Sequence, residues 1–264
     1  MNFKPIPNKF EHLNWQEIES VAKNKRSTVI WPFGAVEQHG PHLPLATDSI
    51  FVDEIISEVF KLFPPDIPLK KLPTQYIGFS PEHKGFAGTI SLSSNLITSM
   101  IKEVGSQLSE MGFKRLILIN GHGGQISLLN TAARELRSFS PGMAVFPCFL
   151  WSGVNGLSEL LTKTEIEDGL HASLAETSLM LALKPELVGD ERPNEGNKVK
   201  IPEGWSLEGN APTAWLTDDF SKSGVIGDSR GADESLGKNL KELLINHWFK
   251  LILNLMQSDW PVSY

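Results

Sequence analysis

A single cysteine, Cys148, stands in the 264 residues of this chain, so no intramolecular disulfide can form. Basic residues are also in the minority. With 24 Lys and Arg against 31 Asp and Glu the formal net charge is -7, and the basic footprint needed for nucleic acid or an anionic membrane surface is missing. No stretch approaches about 18 consecutive apolar residues, which excludes a membrane-spanning helix on length. The first residues, MNFKPIPNKFEH, lack the charged-then-apolar order of a secretory signal. These absences predict a cytoplasmic protein with neither a nucleic-acid nor a membrane partner. Three catalytic signatures are absent too: HExxH, GxSxG and GxxxxGK[ST]. GHGGQ matches only half of a dinucleotide fingerprint, because Ile126 stands where the third glycine belongs, and this disfavours a nucleotide-binding reading.

What the chain does hold is apolar material, 41% of its residues, enough for one large domain expected to span 1–264. Residues 28–35, TVIWPFGA, have the composition of a strand buried on both faces. In 49–63 apolar residues recur at 51, 52, 55, 56, 59 and 60, a helical spacing that Pro64 and Pro65 end. LKKLPTQYI, 69–77, is predicted as a strand, followed by a long Gly-bearing loop that carries His83. The patterning then predicts a helix over 96–112 with Gly112 as its C′ residue, a strand over 115–120, a helix over 126–139 and a strand over 143–151. A helix within 171–187 that ends near Pro185, a loop-rich stretch over 188–230 and a largely apolar helix over 235–256 complete the chain. Strands alternating with helices mean parallel β-α units, and in such sheets ligands bind beyond the carboxyl ends of the strands. That places the chemistry where 37–48, 121–125 and 151 emerge.

Five of the seven histidines, His39, His42, His83, His122 and His171, fall in loops or at element ends. His122 lies between Gly121 and Gly123 directly after an apolar strand, where small neighbours allow close approach. Three carboxylates, Glu37, Asp48 and Glu176, would repel one another in a partly buried cleft and their pKa values would rise unless cations compensated. A pair of divalent ions supplies that compensation. Glu37, His39, Asp48 and His122 offer only oxygen and imidazole nitrogen donors, which suits zinc or manganese better than a thiolate-selecting metal. Glu176 shares a helical face with Ala172, Ser173, Leu179, Met180 and Leu183, so its carboxylate is expected to point inward, toward a metal or, alternatively, toward Arg134 or Arg137.

PFGAVEQHGPHLPLATD, HKGFAGTISL, LILINGHGG, HASLAETSLMLAL and GVIGD follow one another in the order and spacing of the creatininase family, which the chain resembles from about 28 to 235. The resemblance implies a three-layer α/β/α fold with a mostly parallel central sheet, and a binuclear centre of divalent zinc, manganese or iron. Its ligands would be Glu37, His39, Asp48 and His122, with Asp48 as the bridge. Creatininase proper takes a further Glu two residues after the N-G-H histidine, where this chain has Gly124. That difference leaves a coordination vacancy, for which Glu176 is the candidate. His171 matches a histidine that assists proton transfer, and Trp151 a tryptophan lining the pocket. Creatininase also carries a Glu just before that histidine and a Trp three residues earlier, where this chain has Leu170 and Glu167, so creatinine is not the expected substrate.

Taken together, these readings predict hydrolysis of a non-peptide amide C–N bond, cyclic amide or formamide, in a small molecule by a hydroxide bridging two ions, with His171 and Glu176 as catalytic groups. The alternatives are a peptidase of peptide-cofactor maturation and a non-catalytic binding or assembly protein stabilised by one metal ion. Trp151, His83, Gly123 and Gly124 are candidate substrate contacts, and Gln38 and His42 candidate supports of the ligands. For Gln38, His42, His83 and Trp151 a purely structural role is the competing reading. The resemblance further implies a homo-oligomer, a hexamer built from dimers.

Overall fold

Four segments form one parallel sheet in the computed structural model, which describes residues 8–196, 201–208 and 211–261. The strands are β1 (Thr28–Phe33), β2 (Leu69–Lys71), β3 (Arg115–Asn120) and β4 (Ala144–Phe149), in the spatial order β2-β1-β3-β4. Phe33 pairs with Asn120 and Asn120 with Phe149, so three strands end level and their loops leave from one edge. This is the topology that gathers sequence-distant loops into one site.

Successive side chains of a strand point to opposite faces, and each face takes its own helices. Val29, Trp31, Phe33, Leu116 and Leu118 pack with α1 (Trp15–Ala22), α3 (Ser94–Met111) and α4 (Ile126–Phe139). Ile30, Ile117 and Ile119 pack instead with α2 (Thr47–Lys61), α7 (Leu174–Leu183) and α8 (Glu234–Gln257). The result is the three-layer α/β/α architecture. Each fully buried Ile or Phe of these layers contributes about 1.5–3 kcal/mol of transfer free energy. Two short helices, α5 (Leu157–Leu160) and α6 (Lys163–Asp168), lie between β4 and α7.

Local chemistry accounts for the element ends. α3 stops where Gly112 takes φ 106°. α8 buries Gly237, Leu240, Leu244, Trp248, Ile252 and Met256 along one stripe, and its Trp248 Nε1 donates to the carbonyl of Leu150, 2.9 Å away, just past β4. Arg115, fully buried, donates to the carbonyls of Leu255, Ser258 and Trp260 and so pins the end of α8 to the start of β3.

Two expectations need correction. The strand over 69–77 is only β2, Leu69–Lys71, because Pro73 cannot donate to a ladder; the pairing resumes as a lone bridge between Phe33 and Gln75. The helix within 171–187 starts at Leu174 and ends at Leu183: His171 is drawn into a bridge with Ile226, and Ala172 takes a positive φ of 52° that no helix accepts. α1, opened by an Asn14–Glu17 capping box, was not legible in the hydrophobic pattern. The loop-rich stretch over 188–230 contains a two-residue antiparallel pair, β5 (Asn194–Glu195) with β6 (Gly227–Asp228); residues 197–200 and 209–210 of that stretch lie outside the described residues.

Candidate metal centre

Five chain segments meet beyond the level ends of β1 and β3. The loop after β1 brings Glu37, Gln38 and His39, the first turn of α2 brings Asp48, and the loop after β3 brings His122. A single 3-10 turn, Pro81–His83, brings Glu82 and His83, while the bend before α7 and its first turn bring His171 and Glu176. Asn120 fixes the His122 loop: its Nδ2 donates to the His122 carbonyl at 2.6 Å, and its Oδ1 accepts from His122 N and Gln125 Nε2, each 2.9 Å away. Gly121 is required by space, since a Cβ there would fall 2.4 Å from the Asp48 carbonyl oxygen.

Asp48 lies at the middle of the cluster. Its Oδ1 is 3.4 Å from His39 Nε2 and its Oδ2 is 3.3 Å from His122 Nδ1. Glu37 Oε1 is 3.1 Å from His122 Nδ1, 3.4 Å from His83 Nε2 and 3.9 Å from His39 Nε2. Ligand atoms of Glu37, His39 and Asp48 lie within 4.8 Å of one another, as do those of His39, His171 and Glu176. Both Glu37 oxygens, His39 Nε2, Asp48 Oδ2 and His122 Nε2 are buried without an aligned hydrogen bond. Unpartnered buried polar atoms are costly, and four of them, on Glu37, His39 and Asp48, facing one another from two segments fit a bound cation. The donors, carboxylate oxygen and imidazole nitrogen, suit zinc, manganese or iron in the divalent state.

The protonation pattern points the same way. Burial opposes a charge on His39, yet Asp48 and Glu37 outweigh it and lift the imidazole to about 9. His122 is likewise raised, burial being overcome by Glu37, Asp48 and Glu82. Asp48 is held well below the ordinary carboxylate range, because His39 and His122 overcome its burial. Burial is the main force that pushes Glu176 up to about 7, with His39 opposing and Asp48 assisting. Protons on the two imidazoles thus offset the carboxylates, the task that metal cations perform when they displace those protons.

His171 behaves differently. Its Nε2 donates to the Gln38 carbonyl at 2.7 Å, which leaves Nδ1 bare and turned toward Glu37 Oε1, 3.9 Å away. The ring sits between those of His39 and His83, with centroids 4.3 and 4.1 Å away. Burial and these two rings hold it well below the ordinary histidine range. It is therefore neutral at physiological pH, a proton acceptor rather than the ready acid that an unperturbed imidazole suggests.

The remaining expected residues are placed as follows. Gln38 Nε2 donates to His83 Nδ1 at 2.9 Å and to the Gly224 carbonyl at 3.0 Å, so His83 carries its proton on Nε2, toward Glu37. His42 turns away from the cluster and meets Thr177 Oγ1 at 2.8 Å; burial and Arg192 lower it to about 4. Trp151, His83, Gly123 and Gly124 line a cavity of about 290 Å³ that opens onto Asp48, His122 and Glu176. Glu176 pairs with neither Arg134 nor Arg137; Arg137 bonds the carbonyls of Ser140 and Pro141 in the opposite layer, and Glu176 Oε2 accepts from Ala172 N at 2.7 Å.

Sequence reasoning passed over Glu82 and Glu208. Glu82 adjoins His83 in PEHKGF, a proximity that hints at the site; nothing in the sequence around Glu208 marks it. Two further clefts, of about 560 and 680 Å³, share Glu208 with the first cavity, and the larger also shares Trp215, Gly123 and Gly124. No helix among the described residues is long and apolar enough to cross a membrane.

The family model of Creatininase, creatinine amidohydrolase, matches residues 11–252. The mycofactocin precursor peptide peptidase of Mycobacterium tuberculosis (strain CDC 1551 / Oshkosh) is 29% identical over 235 residues, covering 87% of this chain and 86% of the relative. Creatinine amidohydrolase of Pseudomonas putida is 28% identical over 194 residues, 68% of this chain and 73% of the relative. A crystal structure of creatinine amidohydrolase (creatininase) superposes with a TM-score of 0.79 at 23% identity, over 95% of this chain and 98% of that one.

Proposed function

This chain belongs to the creatininase family, and from that premise we propose that it hydrolyses an amide C–N bond with two divalent metal ions held by Glu37, His39, Asp48, His122 and Glu176. The observation that carries the reading is the convergence of buried, unpartnered ligand atoms from Glu37, His39 and Asp48 below an open cavity, with His122 Nδ1 turned onto the same two carboxylates. Glu37 and His122 face one oxygen of Asp48's side of the cluster and His39 the other, with Glu176 beyond His39. Bound ions would lower the pKa of water and polarise a carbonyl oxygen.

The chain's own groups supply the rest. His171, kept neutral with Nδ1 toward the cluster, accepts the proton of the attacking water and passes it to the leaving nitrogen. Its bond to the Gln38 carbonyl holds the ring in the tautomer this requires. His83, fixed by Gln38 and Thr217, keeps its Nε2 proton directed at Glu37. Trp151 and Trp215 wall the cavity with apolar surface against which a substrate can lie.

The 290 Å³ cavity suits a small cyclic amide or formamide, whereas the two clefts running from Glu208 suit a longer chain. That continuity, with the peptidase activity named for the mycobacterial relative, favours a peptide amide as the second reading. Zinc, manganese or iron as the native metal and a homo-oligomeric, hexameric state belong to the same proposal. The test is hydrolysis of two panels, short peptides and small cyclic amides or formamides, by metal-loaded protein, chelated protein and Glu37→Ala. Turnover abolished by both chelation and Glu37→Ala supports it, and the active panel decides between substrates. A folded, metal-loaded protein with no turnover on either panel and a single ion per chain points to a binding protein instead.

A further inference from the structure

Glu82 is a fourth carboxylate at the cluster, and the function proposed above assigns it no task. It is the middle residue of the 3-10 turn Pro81–His83, its side chain is 11% exposed, and its carbonyl is held by Thr217 Oγ1 at 3.1 Å. Its Oε1 lies 2.9 Å from Nε2 of His122, the face of that ring opposite the nitrogen turned toward Glu37 and Asp48.

The neighbouring glycines show what this contact requires. A Cβ at Gly124 would fall 1.7 Å from Glu82 Oε1 and 2.6 Å from His122 Nε2, whereas a Cβ at Gly123 would meet nothing closer than Glu208 Oε1 at 3.6 Å. Gly124 does not have the positive φ that calls for glycine, so volume alone imposes it. Any side chain at 124 would expel the Glu82 carboxylate. The bare position after the histidine is therefore occupied space, filled from a loop 42 residues earlier, rather than the coordination vacancy that the sequence suggested.

We propose that Glu82 is a positioning residue of the metal centre: it takes the Nε2 side of His122, so that Nδ1 is presented to the ion shared with Glu37 and Asp48, and Gly124 is there to admit it. Metal-bound histidines commonly give their second ring nitrogen to a carboxylate, which fixes the tautomer and raises the basicity of the ligating nitrogen. In the present geometry Oε1 lies within reach of Nε2 but off the line of its N–H, and contacts of this kind tighten when a site is loaded. The inference rests on the metal centre proposed above and adds a residue to it.

The test is Zn²⁺ affinity, by competition with a chromophoric chelator, for wild type, Glu82→Ala, Glu82→Gln, Gly124→Ala and the double variant Glu82→Ala/Gly124→Ala. Melting temperatures of the chelated proteins control for folding. Glu82→Ala is expected to keep both ions but to bind one of them about 10–100-fold more weakly, with Glu82→Gln in between because its amide oxygen still accepts. Gly124→Ala should lose at least as much as Glu82→Ala, because its Cβ also crowds His122 Nε2, and the double variant should be no weaker than Gly124→Ala, since both remove the Glu82 contact. Wild-type affinity in Glu82→Ala, or additive losses in the double variant, would overturn the proposal. So would complete loss of one ion in Glu82→Ala, which would make Glu82 a ligand. A wild type that binds no zinc would overturn the metal centre itself, and this positioning role with it.

Discussion

His39 and His122 address different oxygens of the Asp48 carboxylate, His39 Nε2 at 3.4 Å from Oδ1 and His122 Nδ1 at 3.3 Å from Oδ2. One side chain thus faces two ligand groups that never touch through it. Asp48→Asn should cost both ions together, because the amide cannot bridge two cations, whereas loss of a one-sided ligand should cost one. Elemental analysis of Asp48→Asn beside wild type checks this, with metal per chain expected to fall from two to well below one and turnover to background. Retention of one full ion would deny the bridging role.

The imidazoles link metal binding to pH. His39 is raised to about 9, so in chelated protein its protonated form contributes stability that is fully present below the unfolded value near 6.5 and is lost as pH rises through about 9. Metal binding needs the deprotonated ring and runs the other way, strengthening through the same window. The difference in melting temperature between zinc-loaded and chelated protein should therefore widen from pH 6.5 to 9. Calorimetric titration in buffers of different ionisation heat at pH 7.5 should show protons released as zinc binds. A gap that narrows over that range would contradict the assignment of His39.

Gly121 and Gly142 make a matched pair. A Cβ at Gly121 would strike the Asp48 carbonyl at 2.4 Å, while one at Gly142 meets nothing within 4 Å. Gly121→Ala should shift the start of α2, weaken metal binding at least about tenfold and destabilise by about 1–3 kcal/mol. Gly142→Ala should leave both unchanged to within about 0.5 kcal/mol. Urea unfolding with a zinc titration distinguishes them.

Arg115 tests stability apart from the site. Its guanidinium donates to three carbonyls near the C-terminal end of α8, at 2.6 to 2.8 Å. Arg115→Ala leaves those acceptors without their donor and opens space in a buried position, so unfolding free energy should fall by about 2–4 kcal/mol. Metal content should be unchanged. A variant as stable as wild type would mean that water replaces the guanidinium at no cost.

The contrast between what the chain's patterning revealed and what it hid has a physical source. β1 and β3 were legible as short continuous apolar runs, buried on both faces, and α2 and α8 because their apolar residues recur at helical spacing on the face they bury. Glu37, His39, Asp48 and His122 were legible as a set because each leaves a strand end or opens the following helix, where the topology brings them together. The start of α7 was misread because a tertiary bridge between His171 and Ile226 overrides the helical pattern, and Ala172 turns the chain at φ 52°. The role of Glu82 was hidden for a related reason, although its adjacency to His83 hints at the site: its contact with His122 depends on a 3-10 turn docking across the sheet edge, and neither the spacing of residues 82 and 122 nor the glycine at 124 announces it.

The measurement that tests the central claim most directly is metal stoichiometry by elemental analysis, on protein purified without chelator, for wild type and Glu176→Ala. The account predicts two ions per wild-type chain and about one in Glu176→Ala, since Glu176 shares a potential site with His39 and His171 apart from the group of Glu37, Glu82 and His122. One ion in both proteins, or none in either, would contradict it.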